Sequence, residues 1–192
     1  MKTGPGVFVP VVGPSGAGKD SLMSFARRHL AGNPAILFAT RVITRPSDPA
    51  AEAHDTLDEA GFLAAEAEGA FALSWRSHGL CYGVPAEVDI AIRAGRVVVA
   101  NLSRASVADA IARYADVMPV LVTVSPGVLA ARLAARGRES AQDIAARIAR
   151  NADYAGFGAD CRVLDNSGEL DAAGRQFVRL LEAAAERSAV DA

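Results

Sequence analysis

Residues 13–21 read GPSGAGKDS, and up to Lys19 the spacing is G-x-x-x-x-G-K. Gly13, Gly16 and Gly18 permit a tight backbone whose successive N–H groups converge on an anion, and a following helix start adds a favourable dipole. Pro14, Ser15 and Ala17 fill the other positions. Lys19 supplies a compact cation able to reach the terminal phosphates of ATP. The next position of such a loop usually carries a serine or threonine whose hydroxyl binds magnesium. Here it is Asp20, with Ser21 one place late.

A carboxylate beside a triphosphate repels it unless a cation lies between them. With Mg²⁺ present the same carboxylate becomes a ligand. The strand-like run RVVVAN ends in Asn101, at a place where many phosphate-loop enzymes put a metal-anchoring aspartate. The missing acid and the extra acid are complementary. Asp20 and Ser21 are therefore expected at Mg²⁺, although the helix dipole alone also favours an acid in a first turn.

Arginines form a second group. Arg132 and Arg136 stand one helical turn apart, and Arg147 lies eleven residues beyond Arg136, across the hinge-like GRES. Phosphoryl transfer needs electrostatic clamping of an in-line geometry, and these arginines, with Lys19, are the expected catalytic cations. Arg138 is a weaker member. Arg-rich helix faces also arise simply as solvated surfaces. Arg41 and Arg45 frame RVITR at the end of a strand-like run, and His54, His78 and Tyr82 fall in the same region. Two arginines so placed suit an acceptor that carries phosphate. A hydroxyl acceptor must lose a proton and so needs a base, whereas an ionised phosphate needs only charge neutralisation. Many arginines without an evident base favour a phosphate acceptor, with Asp48, Asp55 and Asp89 still open as bases.

These residues need strands to carry them. Val7–Val12 runs straight into the glycine loop, and Asp20–Leu30 has a helical pattern. Further strands are expected at 35–40, 71–75, 96–100, 117–124 and 162–164, alternating with helices at 58–68, 86–93, 103–114, 126–136, 141–153 and 170–187. The segment SHGLCYGVP is expected as a turn-rich loop. This order predicts an α/β three-layer sandwich with a five-stranded, mostly parallel sheet and helices on both faces. Residues 1–192 form one domain in this scheme, with an acceptor-binding segment at about 41–95 and a small mobile lid at about 132–150.

Composition narrows the remaining classes. A net charge of −2 gives no general attraction to nucleic acid or to an anionic membrane. Of the 20 basic residues only Lys2 and Lys19 are lysine, so the one internal lysine occupies the phosphate-loop slot. Cys81 and Cys161 lack C-x-x-C partners, which fits a reducing cytoplasm and neither zinc nor a disulfide framework. Pro10 interrupts the N-terminal apolar run, which reads as a buried strand rather than a signal peptide.

The order GPSGAGKDS, RVITR, LCYGVP and RLAARGRES…IAARIAR resembles the guanylate-kinase-like phosphate-loop kinases. Within them, GKDS, ALSW…GLCYGV and NLSRA are most similar to the ribose 1,5-bisphosphate phosphokinase (PhnN) family. The resemblance implies phosphorylation of ribose 1,5-bisphosphate by ATP, giving 5-phosphoribosyl 1-diphosphate (PRPP), in phosphonate catabolism. It implies that Arg41, Arg45, His54 and Tyr82 receive the sugar bisphosphate, with Asp89 at ribose hydroxyls. Guanylate kinases read guanine with acids, and at those places stand Leu73 or Ser74 and the region of Asn101. Two alternatives stay open: a guanylate or other nucleoside monophosphate kinase, and a non-catalytic binding module. Neither a nucleic-acid nor a membrane partner is expected, and a homodimer is kept open.

Overall fold

The computed structural model describes residues 2–46, 54–135, 157 and 160–190. Ten strands and six helices are found among them, in the order β1 (Thr3–Val12), α1 (Lys19–His29), β2 (Ile36–Phe38), β3 (Val42–Ile43), β4 (Asp55–Thr56), α2 (Glu59–Ala67), β5 (Phe71–Ser77) and β6 (Leu80–Pro85). There follow α3 (Val88–Arg93), β7 (Val97–Asn101), α4 (Val107–Arg113), β8 (Tyr114–Val117), β9 (Val120–Thr123), α5 (Pro126–Ala135), β10 (Arg162–Asp165) and α6 (Leu170–Val190). The expected helix at 141–153 lies outside the described residues, as does most of the expected lid.

Alternation along β1 divides the core. Val7, Val9 and Val11 face one side, where Leu22 and Ala26 of α1 and Phe177 and Leu181 of α6 meet them. Phe8 and Val12 face the other, against Val88 and Ile92 of α3, Val107 of α4 and Tyr114. Successive strand residues point to opposite faces, so a run apolar at both parities must be covered twice. The Phe8 and Tyr114 rings stack with centroids 4.5 Å apart. The result is the expected three-layer sandwich.

The main sheet runs β10-β9-β1-β7-β2, all parallel, with β8 as a sixth strand on β1. The single strand expected at 117–124 is thus split in two. β1 pairs with β8 as far as Phe8↔Val117 and with β9 from Val11↔Val120. Pro10 falls at the changeover, where the missing N–H of a proline breaks no continuous ladder. A proline in a central strand is tolerated here for that reason.

A second, four-stranded sheet runs β4-β3-β6-β5 and was not expected from the pattern. SHGLCYGVP is not a loop: its turn is confined to His78 (φ 51°) and Gly79 (φ 74°), and β6 then returns antiparallel to β5. Two central residues with positive φ make the tight turn that matches strand twist. Gly83, which looked like a breaker, lies under the ring of Phe71, where a Cβ would collide. Leu73, Val84 and the partly buried Trp75 of this sheet share a cluster with Ala39, Val12 and Leu102. The small sheet therefore joins the core on the face of the main sheet that also receives α3 and α4.

Candidate active site

The loop Gly13–Gly18 joins β1 to α1 at the C-terminal edge of the parallel sheet, where ligands of such folds bind. Lys19 folds back over it, its Nζ donating to Gly13 O at 2.9 Å and Pro14 O at 3.1 Å. Gly18 caps α1 in the left-handed conformation, φ 87°. A Cβ there would collide with the Asn166 amide. Asn166, 2% exposed, donates from Nδ2 to Ala17 O at 2.7 Å. Arg132 donates to Asn166 O at 3.0 Å and to Ala17 O at 3.4 Å. The ends of β10 and α5 are thereby tied to the back of the loop. Asn166 was not singled out from sequence, because an asparagine after a short strand reads as turn chemistry.

Asp20 lies exposed in the first turn of α1, and its Oδ1 accepts a hydrogen bond from Asn101 Nδ2 at 2.9 Å. The amide that closes β7 thus holds the carboxylate that opens α1. Ser21 is also exposed, about 100° further round the helix. No group of three or more His, Cys, Asp or Glu able to hold a metal occurs among the described residues. One carboxylate, oriented by a neutral amide beside a phosphate loop, nevertheless suits Mg²⁺, which takes one or two carboxylates with phosphate oxygens and keeps waters.

The acceptor candidates lie on the second sheet. Arg41, on the link from β2 to β3, is 9% exposed and sets its guanidinium over the Tyr82 ring, 5.6 Å from the centroid. Tyr82 stacks in turn on Trp75. Arg45 follows β3, and its carbonyl is approached by Thr56 Oγ1 at 3.1 Å and His54 Nε2 at 3.3 Å. The structure thus brings Arg41 to Tyr82 and Arg45 to His54, at the two ends of one short strand.

No family model matches the chain. It is 54% identical over 181 residues to the ribose 1,5-bisphosphate phosphokinase PhnN of Laribacter hongkongensis, covering 94% of this chain but 44% of that protein. Its identity to the PhnN of a Chelativorans species is 51% over 187 residues, covering 96% of this chain and 89% of the relative. The chain belongs to the ribose 1,5-bisphosphate phosphokinase (PhnN) family. A third member, from Brucella melitensis, is 47% identical with 93% of each chain covered. The chain spans under half the length of the Laribacter protein and about nine-tenths of the other two. Among solved structures, a guanylate kinase from Anaplasma phagocytophilum superposes with a TM-score of 0.66 at 17% identity, covering 95% of this chain and 87% of that one. That likeness establishes the fold.

Against this PhnN-family background one expectation needs correcting. Asp89 is not at the acceptor side. It is buried beside Arg113 and Tyr114, and its carboxylate accepts from the Arg113 guanidinium and from Tyr114 OH at 2.9 Å, with Arg93 at 3.8 Å. Tyr114 pairs with Thr3, at the opposite end of β1 from the glycine loop. An open cavity of about 460 Å³ lies there, lined by Thr3, Leu73, Asp89, Arg93 and Arg113 among others. The resemblance implied a place at ribose hydroxyls, whereas α3 buries Asp89 as an ion-pair hub. Burial, reinforced by the neighbouring carboxylate, pushes the Tyr114 phenol well above its ordinary range. Asp55 is exposed on β4, its backbone N–H bonded to Arg41 O at 2.9 Å. Arg136, Arg138, Arg147 and Asp48 lie outside the described residues.

Proposed function

We propose that the protein transfers the γ-phosphoryl group of ATP to ribose 1,5-bisphosphate, forming ADP and PRPP. A phosphate oxygen on the sugar's C1 attacks the γ-phosphorus while the bond to the β–γ bridging oxygen breaks, and ADP carries away the electron pair. Both reactants are already anions, so the protein must cancel charge and need not remove a proton. The loop N–H groups and Lys19 receive the ATP phosphates, and Arg132 approaches from the back of the loop. Mg²⁺, with Asp20 as its carboxylate contact and Ser21 nearby, would neutralise the β- and γ-oxygens. Arg41, Arg45, His54 and Tyr82 receive the acceptor, and Arg136 and Arg147 complete the clamp. We assign the reaction, on the same resemblance, to phosphonate breakdown in the cytoplasm; no helix among the described residues is long and apolar enough to cross a membrane.

This choice of acceptor is supported by the residue types at the positions that the resemblance aligns with the guanine-reading acids. On the resemblance, Leu73 or Ser74 stands where guanylate kinases place a guanine-reading acid, and the Asn101 amide is engaged with Asp20. A site without those acids cannot repay the desolvation of a guanine edge. The cationic residues assigned to the acceptor suit phosphate instead. Phosphorus NMR of the product decides the point: coupled diphosphate resonances on C1 are expected from ATP and ribose 1,5-bisphosphate. ADP and inorganic phosphate as the only new species would contradict transfer.

A further inference from the structure

Trp75 has no part in the chemistry described so far, yet it stacks on Tyr82, one of the residues assigned to the acceptor. It lies directly opposite Tyr82 in the β5–β6 ladder, and the two rings are nearly parallel, with centroids 5.3 Å apart and planes 4° from each other. Arg41 approaches the same Tyr82 ring. Three consecutive layers result: indole, phenol, guanidinium. Cross-strand aromatic pairs commonly do no more than stabilise a sheet. Two observations distinguish this one. The pair ends on a nearly buried arginine, and Trp75 lies against the core cluster that holds Leu73, Val84 and Ala39.

We propose that Trp75 is the positioning residue of the acceptor site, fixing the Tyr82 ring and, through it, the Arg41 guanidinium in the orientation that receives a phosphate of the sugar bisphosphate. The proposal rests on the acceptor assignment made above. Tyr82 has few rotamers, and a neighbouring ring in parallel contact removes most of its remaining freedom. The electron-rich ring face then holds the cation. A guanidinium so held binds phosphate along its rim, and pre-ordering it lowers the cost of binding the acceptor without touching ATP.

Trp75 is also the only tryptophan in the chain, so its emission reports on this stack alone. Three measurements test the role. In the unmodified protein, ribose 1,5-bisphosphate is expected to change the tryptophan emission saturably, at concentrations that track its KM, whereas MgATP alone leaves it nearly constant. Trp75→Ala should raise the KM for the sugar bisphosphate roughly five- to tenfold, the factor that one aromatic contact represents, with the KM for ATP unchanged. Trp75→Phe, which keeps a stacking ring, should stay within about threefold of the unmodified protein. Should Trp75→Ala fail to fold, the emission titration and the phenylalanine variant still decide. An emission change that follows MgATP and ignores the sugar, or an unaltered acceptor KM in Trp75→Ala, would overturn the role. Selective loss of affinity for GMP in Trp75→Ala would keep Trp75 as the positioning residue and reject the sugar bisphosphate instead.

Discussion

Asn101 Nδ2 lies 2.9 Å from Asp20 Oδ1, joining the last residue of β7 to the first turn of α1 across 81 residues of chain. The bond turns two departures from the common phosphate-loop pattern into one device. The strand end supplies an amide donor instead of an acid, and the loop's helix supplies the acid. The amide orients the carboxylate without adding a charge of its own, which suits the magnesium role proposed for Asp20.

Substitution at this pair should therefore act through magnesium. Asp20→Asn is expected to cut turnover about 100-fold or more at ordinary Mg²⁺ levels, the size seen when one main electrostatic contact of a transition state is lost. Asn101→Ala should weaken the half-saturating Mg²⁺ concentration about tenfold, as loss of an orienting partner does, with turnover recovered at high Mg²⁺. Magnesium titrations of initial rate, paired with calorimetry of ATP binding with and without the ion, check both. An Asp20→Asn enzyme with unaltered magnesium dependence would remove Asp20 from the metal site.

Gly18 and Asn166 should be mutually constraining. Gly18→Ala forces a side chain into the left-handed region and into the Asn166 amide, so it is expected to abolish measurable ATP binding. Asn166→Ala leaves the Ala17 carbonyl without its 2.7 Å donor and should cost about 1–2 kcal/mol of stability. Urea unfolding with and without MgATP separates the two effects. ATP binding by Gly18→Ala at unmodified affinity would contradict this packing.

Tyr114 predicts an alkaline limit to stability. Its phenol is raised in the folded chain, first by burial and then by the Asp89 charge. Because the folded-state value lies above the unfolded one, the contribution is complete below about pH 10, the ordinary tyrosine value, and is lost as pH rises beyond it. Tyr114→Phe loses the hydrogen bond to Asp89 and should be about 1–2 kcal/mol less stable at neutral pH. It should also lose stability less steeply above pH 10. Melting temperatures of both proteins from pH 7 to about pH 11 provide the comparison, and parallel curves would exclude the phenol as the source.

The glycine loop, the first strand and helix, and the parallel sheet were legible because each rests on local signals: glycine spacing, β-branched runs, a helix start. The helix expected from residue 58 is found as α2, capped by Asp58, which accepts from Gly61 N at 2.7 Å. The second sheet was not. Glycines at 79 and 83 mimic loop composition, and the strand shows only in its pairing with β5 and, from further along the chain, with β3. Asp89 misled for a related reason. The resemblance set it at ribose hydroxyls, but the partners that claim it, Arg113 and Tyr114, come from 24 and 25 residues away. Arg41 and Tyr82 were found as separate residues, whereas Trp75, although part of ALSW, was given no role of its own.

The central claim concerns the acceptor, and one measurement addresses it most directly. ADP release is coupled to an optical signal and compared for ribose 1,5-bisphosphate, ribose 5-phosphate and GMP, at fixed MgATP and enzyme. Turnover with ribose 1,5-bisphosphate, and at most trace rates with the other two, is the predicted result. Turnover confined to GMP would contradict it and make the chain a nucleoside monophosphate kinase.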